Sequence, residues 1–175
     1  DITENKILER RILLSNEILE LFWDVSTKAE YLEKAVELIR KWCKCDCLGI
    51  RIVDQEQKTI PYLACFGFTP EFMQSESHLS LENDQCACIR AIQGKLEPQD
   101  YPAMTGSGSF FLDSASDFVS TLTKDQLSTF RGVCIRSGFQ TIVIVPIRHG
   151  ETVLGAIHIA DKRKSALSLK EVDTL

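Results

Sequence analysis

At 175 residues the chain has the length of one domain, and with 44% hydrophobic and 26% charged residues it reads as an ordinary globular sequence able to bury a core. A formal net charge of -5, with its Lys and Arg residues scattered, gives no electrostatic footprint for nucleic acid. The longest apolar run, Ile142 to Ile147, is far short of the ~20 residues that cross a bilayer, and the seven cysteines, an odd count, fit reduced thiols in a cytoplasmic protein better than a disulfide scaffold.

Along the chain, Ile7, Leu14, Ile18 and Leu21 form one apolar stripe at helical spacing, and Leu8, Ile12, Leu19 and Phe22 form a second beside it. A first helix this widely apolar either buries one stripe and offers the other to a partner helix, or packs both into a core. Thr27-Lys28-Ala29-Glu30 is a capping box, and Leu32, Ala35, Val36, Ile39 and Trp42 carry a second helix that ends near Cys43. From Cys47 the period changes: Leu48 to Val53, a polar connector and Ile60 to Phe66 read as a β-hairpin. Residues 67–108 are irregular, with a short helix opened by Thr69-Pro70 and another in "QCACIRAIQG" that stops at Gly94. Ser109 to Asp113 reads as a short strand. Thr123 to Gln126 caps a helix running toward Arg136 and stopping at Gly138, and Thr141 to Arg148 with Thr152 to Ala160 reads as a second hairpin. Ser168 and Glu171 open a last helix, which the sequence cuts short. With no initiator Met either, the chain reads as a segment of a longer protein. This order predicts an α+β domain around one antiparallel sheet covered on both faces.

The spacing in "WCKCDC" and "QCACIR" raises the question of a thiol site. Zinc sites pair Cys-x2-4-Cys with further ligands at similar spacing, which this chain lacks, so no metal site is expected. On one helix Cys86 and Cys88 would stand roughly 200° apart and point to opposite sides. Cys43, Cys45 and Cys47 span a helix-to-strand junction where an extended chain could gather them on one face, but small buried hydrophobes are the leading reading. Cys134 lies between Arg131 and Arg136, which would lower its thiol pKa if close. His158 shares a strand face with Ala156 and Ala160, whose small side chains leave room beside it, and reads first as a structural histidine. His78 and His149 read as loop residues, and Asp113 and Asp117 as loop or capping residues.

The last third, "SGFQTIVIVPIRHGETVLGAIHIADKRKSALSLKEVDTL", resembles the C-terminal half of a GAF domain: an apolar strand ending in Val-Pro-Ile, a turn, Val-Leu-Gly-Ala-Ile-His, and a helix after Leu167 to Leu169. The order of elements agrees from about Thr27 onward, and "CACIRAIQG", "GSFFLD" and "RGVCIRSGF" are similar to GAF modules of bacterial and archaeal sensor histidine kinases. The resemblance implies a central antiparallel sheet of about five to six strands, with helices on one face and an irregular helical lid over a pocket on the other. It divides the chain into an N-terminal signalling and dimerisation helix at residues 1–26 and a GAF domain at 27–175, ending in a truncated output helix. It further implies a cytoplasmic sensory module that is not an enzyme and binds a small molecule or a tetrapyrrole such as haem. A homodimer formed through the N- and C-terminal helices would relay the bound state to a covalently linked output domain, a kinase or similar, with no contact to membrane or nucleic acid. Strand alternation gives Phe110, Leu112, Cys134 and His158 as ligand-binding candidates. Cys134, Cys86 and Cys88 are candidates for attaching a bilin or haem, with His158 as an axial ligand. Two alternatives share the fold: an enzyme of the free methionine sulfoxide reductase type working through cysteines, and a ligand-free dimerisation module.

Overall fold

The computed structural model describes residues 2–175. Helix α1 (Ile2–Asp24) and helix α2 (Lys28–Cys43) form an antiparallel hairpin. Thr27 accepts a hydrogen bond from the Glu30 amide at 3.2 Å, and Lys44 ends α2 in the left-handed region, at φ 52°. The two stripes of α1 part as their spacing allows. Leu14 is buried and Ile18 and Leu21 pack against the core, whereas Leu8, Ile12, Leu19 and Phe22 are 52–64% exposed.

Six strands follow, all paired antiparallel in the order β3-β2-β1-β6-β5-β4. They are β1 (Cys47–Ile52), β2 (Thr59–Phe66), β3 (His78–Ser80), β4 (Phe110–Leu112), β5 (Thr141–His149) and β6 (Thr152–Asp161). Alternation along the central strands sends Leu48, Ile50, Val143, Val145, Ile157 and Ile159 to the face covered by α1 and α2. Cys47, Ile142, Ile144, Ala156 and Ala160 point to the other face. That second face is covered by a lid of short helices: α3 (Pro70–Glu76), α4 (Ala87–Gln93), α5 (Ala115–Ser120), α6 (Lys124–Ser128) and α7 (Val133–Arg136). A single turn, α8 (Leu169–Val172), closes the chain on the helix face, where Val172 is buried.

The expected α+β fold and its two-sided sheet are present, and the differences from expectation have local causes. The helix expected from Thr123 to Arg136 is two pieces, because Gly132 takes a left-handed conformation (φ 65°) between α6 and α7. Two elements escaped the sequence reading. β3 is only three residues long, too short for an alternation signal, and α5 rests on the Ser114 cap and six residues. Asp161, fully buried at the end of β6, accepts from the Asp46 and Arg163 amides and from the Arg163 guanidinium, which also donates to the Lys44 carbonyl. This clasp joins the end of β6 to the turn between α2 and β1. Among the described residues no helix is long and apolar enough to cross a membrane.

Candidate functional site

The lid face begins with a glycine. Gly49 on β1 pairs with His158 on β6, and a Cβ at Gly49 would stand 2.5 Å from the Tyr62 ring. Only glycine lets the Tyr62 ring cross β1 and bring its hydroxyl within 2.5 Å of His158 Nδ1. On the other side of the imidazole, Cys134 Sγ lies 3.8 Å from Nε2. Phe68 stacks on the same ring with centroids 5.4 Å apart. His158 is 1% exposed, and burial, followed by the nearby Arg51 charge, lowers its pKa to about 3, so the ring is neutral at neutral pH.

Arg51 is the next residue inward and is 2% exposed. Its guanidinium lies over Tyr62, 3.5 Å from the ring centroid, and donates to the carbonyls of Ile60 (2.6 Å) and Glu76 (2.5 Å). Its Nε finds no partner among the described residues. Two further arginines staple the lid. Arg90 meets Asp100 in a buried two-pronged pair at 2.6 and 2.8 Å and donates to the Thr129 carbonyl, while Arg131 bridges Glu76 (3.0 Å) and Asp84.

Between sheet and lid lies a cavity of ≈ 30 Å³, with Glu76, Cys86, Cys88, Phe110, Leu112 and Cys134 in its wall. That is room for one molecule about the size of water. Cys86 and Cys88 do not point apart as a shared helix would require. Cys86 is the N-cap, extended at φ -156° and ψ 152°, and the helix begins at Ala87, so the two sulfurs lie 3.8 Å apart. The hydrogen bond shared with Cys88 outweighs burial and lowers the Cys86 thiol to about 7; the same bond, with burial, pushes Cys88 up. The expected lowering at Cys134 does not occur: burial pushes that thiol up. Its flanking arginines are engaged elsewhere, Arg131 with Glu76 and Asp84, Arg136 with the Arg131 carbonyl.

Of the four ligand-binding candidates, Phe110, Leu112 and Cys134 line the cavity, and His158 lies behind Cys134. Cys43 and Cys45 belong to the helix face and Cys47 to the lid face, so the three do not converge. Among the described residues no group of three or more His, Cys, Asp or Glu is arranged to hold a metal ion. A tetrapyrrole does not fit this arrangement, since the cavity is far too small and both ring nitrogens of His158 face partners. Sequence reasoning missed Arg51, Tyr62 and Glu76. The available signal was "LGIRI", where a glycine and an arginine alternate onto one face of an otherwise apolar strand.

A six-stranded antiparallel sheet with paired terminal helices on one face and a short-helix lid over a cavity on the other is the GAF fold, and this chain has it. The GAF domain of an Acinetobacter phosphoenolpyruvate-protein phosphotransferase matches at TM-score 0.64 and 16% identity, over 97% of this chain and 85% of that one. A domain of a putative two-component sensor histidine kinase from Sinorhizobium meliloti matches at TM-score 0.56 and 12% identity, over 86% and 83%. Free methionine-R-sulfoxide reductase from Neisseria meningitidis, in complex with its substrate, matches at TM-score 0.65 and 10% identity, over 97% and 83%. No family model and no curated protein matches the chain. The reductases overturn the expectation that this chain is not an enzyme, because the fold that argued for a non-catalytic module also carries catalysis.

Proposed function

We propose that this chain is a sensory GAF module of a cytoplasmic signalling protein, in which the lid-face cavity receives a small ligand and the terminal helices of a homodimer relay the result to an output domain. One observation carries the reading: a cavity ringed by three thiols is built on one face of a sheet whose other face supports a helix with an exposed apolar stripe. Leu8, Ile12, Leu19 and Phe22, with Leu13 and Trp23 at 62% and 89% exposure, form more apolar surface than isolated residues explain. A second α1 matches that stripe in length and chemistry. A ligand acts on such a pair only through different affinities for two arrangements, and the lid is the part of the site that has to differ between them. Ile12→Asp and Leu19→Asp are expected to lower the dimer fraction in sedimentation; an unchanged mass removes the relay.

A second reading rests on the thiols themselves. Cys86, Cys88 and Cys134 around one cavity support a cysteine-dependent reductase acting on free methionine sulfoxide, the reaction named for several chains of this fold. A substrate of that size enters only when the lid opens. Loss of free methionine-R-sulfoxide in the presence of dithiothreitol, absent in Cys86→Ser, would decide for it.

A further inference from the structure

We infer that Cys86 and Cys88 form a reaction site for hydrogen peroxide, in which Cys86 attacks the oxidant and Cys88 resolves the product to a disulfide. The inference rests on the lid-face cavity being the sensing site and names the chemical class of its ligand.

Three features of the site carry it. The sulfurs are 3.8 Å apart in contact with each other, and a disulfide requires about 2.05 Å; Cys86, extended and outside the helix, is not held by the helical hydrogen-bond ladder against that approach. The cavity of ≈ 30 Å³ that both thiols line has room only for a very small molecule of one or two heavy atoms, a class that includes hydrogen peroxide and excludes hydroperoxides with bulky alkyl groups. The hydrogen bond shared by the two thiols lowers the Cys86 pKa and, with burial, raises that of Cys88, and burial raises Cys134, so Cys86 is the most readily ionised of the three.

The chemistry balances within the pair. The Cys86 thiolate forms an S–O bond as the O–O bond breaks, and the leaving hydroxide takes a proton from solvent and becomes water. Cys88 then attacks the sulfenic sulfur; the S–S bond forms, the S–O bond breaks, and the departing oxygen leaves as water with the Cys88 proton. Two thiols lose two electrons and two protons, and one peroxide becomes two waters. Cys134 takes part in neither step.

The test treats the whole chain with hydrogen peroxide, blocks remaining thiols with iodoacetamide under denaturing conditions, and cleaves after Glu82 and Arg90. This isolates Asn83 to Arg90, which holds both thiols and no other cysteine. The expected product is that peptide unalkylated and lighter by two hydrogens, in the natural chain and in Cys134→Ser alike. Cys88→Ser is expected to leave a sulfenic acid on Cys86 that dimedone traps, and Cys86→Ser to leave Cys88 unoxidised. tert-Butyl hydroperoxide is expected to react about tenfold or more slowly, as steric exclusion from so small a cavity implies. Full alkylation of both thiols while the exposed Cys65 is oxidised overturns the inference, and so do equal rates for the two peroxides. A disulfide that forms without any change in sedimentation upholds the peroxide site and removes the sensory reading instead.

Discussion

The two faces of the sheet are built on different physics. The helix face is filled by α2 residues such as Val36 and Ile39 against Leu48, Val143 and Ile159, all 4% exposed or less, and its buried carboxylate, Asp161 at the end of β6, pairs with Arg163 at the rim. Its stability comes from apolar burial, which is non-directional and insensitive to pH. The lid face buries Arg51, Glu76, Arg90, Asp100 and His158. Each of these groups is held by particular partners, so the lid depends on geometry and charge. A surface that must respond to a reactive small molecule is better placed on the second kind of face, where one bond lost changes several others.

The largest expected effect that would break this contrast is on the buried pair. Asp100→Ala leaves the Arg90 guanidinium uncompensated in the interior and is expected to cost about 3–5 kcal/mol in urea unfolding. Arg90→Met/Asp100→Leu together should recover part of that loss; a double variant as unstable as the single one would show that the lid depends on these two residues for more than charge balance. Gly49→Ala drives a methyl group into the Tyr62 ring and is expected to cost about 1–3 kcal/mol, with Tyr62 fluorescence changing and the α1 region unaffected.

Acid provides a finer test. The folded state keeps His158 neutral down to about 3, whereas the unfolded chain takes up a proton below 6.5, so stability is complete above 6.5 and falls as pH drops from there toward about 3. The slope approaches about 1.4 kcal/mol per pH unit within that window, and it should be missing from His158→Gln and so appear in the difference between the natural chain and that variant. Equal slopes in the two proteins would mean that the histidine is solvated. Thr27→Ala, on the helix face, is expected to cost only about 1 kcal/mol and to leave both the acid profile and the peroxide reaction unchanged.

The same contrast explains what was legible in the sequence. The helix face could be read because its elements announce themselves locally: the Thr27 cap, the 3.6-residue period of α2, and the alternation in "TIVIV" each need only neighbours in the chain. Phe110 and Leu112 came to the cavity by the same alternation. The rest of the site joins distant segments. Tyr62 and His158 are separated by 96 positions, and Arg131 and Glu76 by 55. The thiol pair turned on a boundary: moving the start of α4 past Cys86 changes the two sulfurs from opposed to adjacent. A shift of one residue is within the ordinary uncertainty of any helix end.

Arg10 has a mechanical consequence. Its guanidinium leaves α1 to donate to the Trp42 carbonyl at the end of α2, lies 4.9 Å from the Trp42 ring centre, and reaches Glu171 of α8 at 3.6 Å. One side chain thus pins three segments at a single angular setting. Advancing α1 by one residue turns it about 100° and would release all three contacts at once. The helix, about 35 Å long from its 23 residues, therefore behaves as an indexed shaft: small torques leave it seated, and larger ones move it by a whole notch.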